Sequence, residues 1–389
     1  LLSGNHFKSF CPGFFQRGLF TRMDDWTYCV QTLPKVSRTF ALNISVLRGE
    51  LHRSILTAYL FCRTVDTVED AAKLDPKIKT RLLIEFSQLI EDPDYRKKNL
   101  VTWIEECAEV DGSPNDLDLL HQVSRVFNVF DSLPKNHQDQ IIPSVSKMAK
   151  GMAFFQNHFQ FGEITPLKNI QDLEEYCYFV AGVVGEMLCN LFFQKLPHLP
   201  EAARNIMLQN AVSFGLGLQM TNISKDIIAD RDRGWSYIPR SIISEKGLTI
   251  EEFHSGASMD KNLQILEGLL GKTTSHLNDA LKFTLAIPRT EIALRLFCVW
   301  PLWMAVKTVA VLHNNPALLN SNAQVKISRS TVKKILFGTP FIAWSNNLLK
   351  YSFSKIINDN AFQNPPTFDL EGLMSRLEKI PLDTLNPNT

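Results

Sequence analysis

The chain has 389 residues, 45% of them hydrophobic and 26 of them Phe, enough apolar matter for a sizeable core in one large domain or two. Lys plus Arg number 41 against 40 acids, so at a net charge of +1 no long-range basic field exists to gather nucleic acid, which is excluded as an expected partner. Seven cysteines, Cys11, Cys29, Cys62, Cys107, Cys177, Cys189 and Cys298, form no C-x-x-C pair and sit mostly in apolar helical pattern, as suits a reducing cytoplasm.

Residues 1–22 are aromatic-rich and aperiodic, and are expected to be disordered or appended, with Met23-Asp24-Asp25-Trp26 resembling a natural start. A cleavable targeting peptide is the lesser alternative, because basic residues are few and a secretory apolar region is missing. From there, apolar spacing of three and four predicts helices at 25–32, 38–47, 51–72, 77–90, 101–109, 116–130, 135–162, 171–195, 201–230, 259–284, 289–312 and 328–351. Glu-Asp-Pro-Asp at 91–94, Asp-Gly-Ser-Pro at 111–114, Leu-Pro-His-Leu-Pro at 196–200 and Asn-Pro-Pro at 364–366 read as connectors. Strand alternation is nearly absent and no internal repeat is visible. The expectation is an all-α, single-domain bundle over 23–355, followed by a C-terminal extension, 356–389, without a hydrophobic anchor. The most apolar stretch, 296–306, contains Pro301 between Arg295 and Lys307, falls short of the roughly 20 residues a bilayer needs, and is expected to be a core helix.

Four glycines, Gly182, Gly185, Gly215 and Gly217, fall inside predicted helices, where each costs up to about 1 kcal/mol relative to alanine. Either close helix packing offsets that cost, or the missing side chains leave room for a long apolar ligand. Phe154, Phe155, Phe159, Phe161, Phe192 and Phe193 are candidate walls for such a ligand, although aromatics at this spacing are more often plain core.

The strongest chemical signal is a pair of acidic stretches, Asp66-Thr67-Val68-Glu69-Asp70 and Asp226-Ile227-Ile228-Ala229-Asp230. In each, two aspartates four apart share one helical face. Tyr59 and Arg63 continue the first stripe and Gln219 and Asn222 the second, in sequence too apolar for solvent-facing helices. Unpaired buried carboxylates cost several kcal/mol, so a counter-ion is expected. Mg²⁺ fits, since it bridges one or two carboxylates to substrate phosphates, which implies a diphosphate substrate. A solvated charged face explains either pair alone better than both together. After the second pair, Arg231-Asp-Arg233-Gly-Trp-Ser-Tyr237 reads as a mobile flap whose arginines grip diphosphate oxygens, or as a solvated helix end.

These residues resemble the squalene/phytoene synthase family, and within it the squalene synthase branch. Ser37-Arg38-Thr39-Phe40 is similar to the family's S-R-S-F entry motif, 63–70 (R-T-V-D-T-V-E-D) to its first aspartate-rich motif, 176–185 (Y-C-Y-F-V-A-G-V-V-G) to its Y-C-x-x-V-A-G-x-V-G helix, and 219–230 to its second metal motif. The likeness covers roughly 30–335. It implies the class I isoprenoid synthase fold, a helical bundle around a central active-site cavity, and a prenyltransferase that joins two farnesyl diphosphates head to head into presqualene diphosphate, then rearranges and reduces this to squalene.

The same resemblance implies Asp66, Glu69, Asp70, Asn222, Asp226 and Asp230 as ligands of Mg²⁺, with Mn²⁺ able to substitute. It implies Ser37, Arg38, Arg63, Gln219, Asn222, Lys225, Arg231 and Arg233 at the diphosphates, and Tyr59, Tyr176, Arg63 and Phe297 in catalysis. The segments 297–301 and 325–327 are similar to squalene synthase segments near the second half-reaction, which puts Lys326 and Arg329 at NADPH, although no Gly-rich dinucleotide fingerprint is present. Transient membrane association through the hydrophobic product belongs to the same expectation. Two departures stand out: Lys225 where Arg is usual, which keeps charge but loses a bidentate grip, and Ala229 where Glu is usual. Three alternatives remain at this point: a non-reducing synthase of presqualene diphosphate, dehydrosqualene or phytoene; a non-catalytic assembly factor, favoured by Ala229; and a head-to-tail prenyltransferase or terpene cyclase, against which the 176–185 segment tells.

Overall fold

Asp24 accepts from the Thr27 amide and so starts the first helix, α1 (Asp25–Val36), of a computed structural model that describes residues 23–157, 164–319, 325–358 and 368–382. Ser37 caps α2 (Arg38–Ser45), which leads to α3 (Gly49–Asp70). An acceptor followed by Pro at the first helical position then recurs at Asp75 for α4 (Pro76–Glu91), Asp92 for α5 (Pro93–Glu106) and Ser113 for α6 (Pro114–His121). That device explains one miss: 91–94, expected as a connector, is the start of α5, eight residues ahead of the helix predicted at 101. The helix expected over 116–130 divides at Gln122 into α6 and α7 (Val123–Asp131), and α8 (Lys135–Gln156) follows.

The stretch expected as 171–195 is α9 (Ile170–Cys177), a π-turn over Tyr178–Gly182, and α10 (Val183–Lys195). The one expected as 201–230 is α11 (Glu201–Lys225) and α12 (Ile227–Asp232), broken at Asp226, whose φ of −102° and ψ of 16° leave the helical region. Short α13 (Arg240–Ser244) and α14 (Ile250–Ser255) precede the long α15 (Met259–Ala286) and α16 (Ile292–Leu312). The helix expected over 328–351 is instead α17 (Arg329–Gly338), a turn around Pro340, and α18 (Asn346–Asn358), which crosses the expected boundary at 355. Further on, α19 (Leu370–Leu377) packs against α9, where Arg376 pairs with Glu174 at 2.7 Å and Glu175 at 2.8 Å. A parallel pairing of Thr165–Pro166 with Trp235–Ser236 is the one piece of sheet among the described residues. The expectations for residues 1–22, and for Phe159 and Phe161, lie outside the described residues.

The most extensive helix pairing is α11 with α15; α10 and α16 flank α11, while α3 and α4 pack on α8. Where α11 crosses α10 and the π-turn, side chains have no room: a Cβ on Gly185 would stand 2.1 Å from the Ala211 carbonyl oxygen, and one on Gly215 2.1 Å from that of Ala181. Close packing therefore accounts for these glycines. The expected Phe walls are likewise core: Phe155, Phe192 and Phe193 are buried, Phe154 packs on them, and other side chains surround the cavity. Two helical stretches, Ile170–Lys195 and Ile292–Leu312, are long and apolar enough to cross a membrane, with mean hydropathy 1.5, but 61% and 67% of their apolar windows is buried inside the bundle. The apolar run of α16 is thus longer than the sequence suggested, and it is burial that marks it as a core helix.

Candidate active site

A cavity of about 480 Å³, within the usual range for ligand sites, opens between α2, α3, α8, the π-turn with α10, α11 and α16. Its charged end is built from Arg63, Asp66, Glu69 and Asp70 of α3, Gln219 and Asn222 of α11, Asp226 at the break after it, Asp230 of α12, and Arg233. Its apolar end is lined by Phe40, Ile55, Val184, Leu188, Phe214, Leu218, Phe297 and Pro301. The stripe spacing in α3 does what the sequence promised. In α11 the same result survives the break at Asp226, because the Asp230 amide still donates to the Asp226 carbonyl at 2.8 Å.

Three basic groups hold the acids. Arg233 donates to Asp70 at 3.0 Å and to Asp230 at 2.6 Å, so one guanidinium ties the two acidic motifs together across the cavity mouth. Lys225 pairs with its neighbour Asp226 at 2.6 Å. Arg63 makes a two-pronged contact of 2.9 Å per prong with Asp116 of α6, whose carboxyl burial would push up but which Arg63 and Ser113 hold below the usual range.

Even so, the acids are undercompensated. Burial pushes Asp66 up to about 7, with Arg63 opposing and Asp70 adding to the rise. Burial pushes Asp230 up to about 6, against the pull of Arg233 and with the help of Asp226 and Asp70. Glu69 is raised well above the carboxylate range by burial and by Asp70 and Asp66, and its Oε1 has no hydrogen-bond partner. Lys79, itself held down by burial, gives its ammonium to the Glu69 carbonyl at 3.0 Å and sits 5.0 Å from the Trp235 ring centroid. Crowded, half-neutralised carboxylates with an orphaned oxygen are a donor set that a hard divalent cation fits. Among the described residues no three His, Cys, Asp or Glu side chains form a ready cage, so an ion here would need oxygens from a ligand as well.

The phenols lie beside this cluster. Tyr176 stacks on Tyr237 with centroids 4.7 Å apart and donates to its hydroxyl at 3.0 Å. Tyr59, its ring 5.1 Å from that of Phe40, is pushed up to about 12 by burial, against Ser37 and Arg63. Both Tyr59 and Tyr176 are neutral phenols at physiological pH.

Not every expected residue reaches the cavity. Ser37 caps α2 and acts through Tyr59, while Arg38 is exposed beside it and absent from the lining. Arg231 is turned away: it pairs with Asp232 at 2.6 Å and donates to the His254 carbonyl at 3.2 Å. The loop expected as a mobile flap is held down, with Trp235, Ser236 and Tyr237 buried and Ser236 paired to Pro166, because its aromatics need cover. Lys326 and Arg329 are exposed and outside the lining. Ala229 is exposed and also outside it.

Four contributors escaped the sequence reading. Asp116 and Lys79 come from α6 and α4 with no local signal, and Tyr237 was visible only as a loop aromatic. Asn43, one turn beyond Phe40, had the periodic signal but not the chemistry to draw notice; it is fully buried on the cavity wall with both amide atoms unpartnered.

Comparison with known proteins agrees with this geometry. Residues 33–331 match the family model of squalene/phytoene synthase. The chain is 30% identical over 350 residues to the squalene synthase ERG9 of Candida albicans, covering 87% of this chain and 73% of that one, and 29% identical over 362 residues to squalene synthase 1 of Arabidopsis thaliana, covering 91% and 80%. In fold it is similar to TcSQS solved with the ligand BPH1237, at TM-score 0.74 and 23% identity over 93% of this chain and 98% of that one, and to a ligand-bound dehydrosqualene synthase, at TM-score 0.53 and 20% identity over 85% and 97%. With three motifs converging on one cavity, and a family model that spans most of the sequence, the chain belongs to the squalene/phytoene synthase family.

Proposed function

We propose that this chain is a prenyltransferase that condenses two farnesyl diphosphates head to head to presqualene diphosphate and carries this on to squalene. The observation that carries the reading is one cavity with an acidic mouth, drawn from two motifs and bridged by Arg233, opening into an apolar interior sized for a long hydrocarbon tail. The names of the relatives, squalene synthase, give the end product.

Asp66, Glu69, Asp70, Asn222, Asp226 and Asp230 would hold Mg²⁺, or Mn²⁺ in its place, which would supply charge neutralisation for a departing diphosphate. Arg63, Gln219 and Arg233 bind and orient the diphosphates, with Arg63 fixed by Asp116 and its charge felt at Asp66, while Lys225, outside the cavity lining, acts through its pair with Asp226. Arg233 exchanges its carboxylate partners for diphosphate oxygens as the site fills. The neutral phenols of Tyr59 and Tyr176 pass the proton lost in ring closure towards a released diphosphate oxygen. Phe40, Phe214, Phe297 and Pro301 exclude water, which would trap an allylic cation as an alcohol.

The final reduction needs a hydride donor, and NADPH is proposed for it on family likeness. The residues expected at that cofactor, Lys326 and Arg329, do not fit: both stand outside the cavity lining, so no step is built on them. That observation favours a second reading, a synthase that stops at presqualene diphosphate or dehydrosqualene. A cytoplasmic setting is supported by the six described cysteines, all buried free thiols. Incubation with farnesyl diphosphate and Mg²⁺, with and without NADPH, separates the readings by product mass. Squalene only with NADPH is the expected result; presqualene diphosphate or dehydrosqualene in both tubes supports the second reading; unchanged substrate refutes both. Independently of turnover, Mg²⁺ with inorganic pyrophosphate raises the Tm by more than either alone, and Asp66→Asn removes the synergy.

A further inference from the structure

We infer that the face formed by α17, the turn at 339–345 and α18 docks the protein on an anionic lipid bilayer. Among the described residues, four of the five large aromatic side chains left in solvent lie here: Phe337 (73% exposed), Phe341 (77%), Trp344 (57%) and Tyr351 (69%), joined by Leu348 (40%). They follow one another at steps of three and four along the chain, while Ile335, Thr339, Ala343, Leu349 and Phe353 on the other side are buried. An apolar patch of this kind marks an interaction surface.

Charge says what covers it. Residues 325–358 carry six Lys or Arg and no Asp or Glu, whereas the whole chain is only +1, which leaves −5 for the remainder. Arg329, Lys333, Lys334, Lys350 and Lys355 are exposed around the aromatics. Aromatic rings that sit at headgroup depth, ringed by lysines that attract anionic headgroups, are the composition of an interfacial membrane anchor. A protein partner would have to supply matching acids, and nucleic acid would leave the four rings and Leu348 without an apolar counterpart.

The face is rigidly mounted. Trp344 donates its indole N–H to the Phe341 carbonyl at 2.8 Å, and α16 grips the underside, with Trp300 donating to Thr339 at 2.9 Å and Trp303 to Ser352 at 3.1 Å. That same helix carries Phe297 and Pro301 of the cavity wall, so the docking face stands one helix away from the apolar end of the site. Docking stands on exposure and charge alone, and does not depend on which product is made.

The test is co-sedimentation of the full chain with vesicles of phosphatidylcholine and phosphatidylglycerol at roughly 3:1, against phosphatidylcholine alone. Wild type sediments with the anionic vesicles, less so as salt rises. Two variants, K333E/K334E and F341S/W344S/Y351S, each partition at least about tenfold more weakly, with unchanged circular dichroism and unchanged turnover in detergent-free solution. Brominated acyl chains quench tryptophan fluorescence in wild type and markedly less in Trp344→Ser, which reads contact with the bilayer directly. No sedimentation with anionic vesicles, or wild-type binding by both variants, overturns the inference. So does a dimer of the wild-type chain that the aromatic variant dissolves, since the face would then belong to a second copy.

Discussion

Gly185→Ala and Gly268→Ala make the same chemical change in two helices and are expected to shift stability in opposite directions. A Cβ at Gly185 falls 2.1 Å from the Ala211 carbonyl oxygen, so α10 and α11 must part by about an ångström, and overpacking of this kind costs about 1–3 kcal/mol. At Gly268, exposed in the middle of α15, nothing lies within 4 Å of an added Cβ, and replacing a helix-interior glycine gains about 0.5–1 kcal/mol. An unfolding entropy of about 2.1 cal/mol/K per residue gives roughly 0.8 kcal/mol/K for this chain, so Gly185→Ala lowers the Tm by about 1–4 °C and Gly268→Ala raises it by about 1 °C. Differential scanning fluorimetry resolves both. Turnover separates them further, since α10 and α11 wall the cavity and α11 carries Gln219 and Asn222. A Gly185→Ala protein with a Tm equal to or above that of Gly268→Ala would show that the crossing is not as tight as described.

Three further outcomes are expected. Asn43→Leu relieves two orphaned amide atoms, worth about 1–3 kcal/mol, so the Tm rises by about 1–4 °C while the product pattern or turnover changes; a lower Tm refutes the orphaned state. Arg233→Gln separates Asp70 from Asp230 and lowers kcat/KM by about a hundredfold or more, whereas Arg231→Gln, whose contacts lie away from the cavity, changes it less than about threefold; equal effects contradict the geometry. His276, fully buried with Nε2 unpartnered, is pushed down to about 3 by burial and by Lys272, so its contribution is complete above the unfolded pKa near 6.5 and is lost as pH falls below it, by up to about 1.4 kcal/mol per pH unit. Urea midpoints at pH 7, 6 and 5 therefore fall faster for wild type than for His276→Asn, and parallel curves would be the contrary result.

Residues close in sequence were legible and residues joined only in space were not. The two acidic stripes, Tyr59 and the all-helical class follow from spacings of three and four, because such residues meet on one helix face whatever the rest of the chain does; Tyr176 came from the family likeness alone. Helix ends were less legible where one residue decides them: at Asp92–Pro93 a local cap competes with a periodicity that runs straight through, and at Asp226 the backbone leaves the helical region without any side-chain cap to announce it. The Arg63–Asp116 pair and Lys79 beneath Glu69 depend on how α4 and α6 fall against α3, and nothing near them in the chain announces it. Sequence alone determined the two acidic stripes and the Tyr59 and Arg63 that extend the first of them. Tertiary packing decided which arginine faces the aspartates, that the glycines serve a close helix crossing, and which phenylalanines are wall and which are core, because each of those outcomes rests on the distance between elements rather than on any element's own pattern.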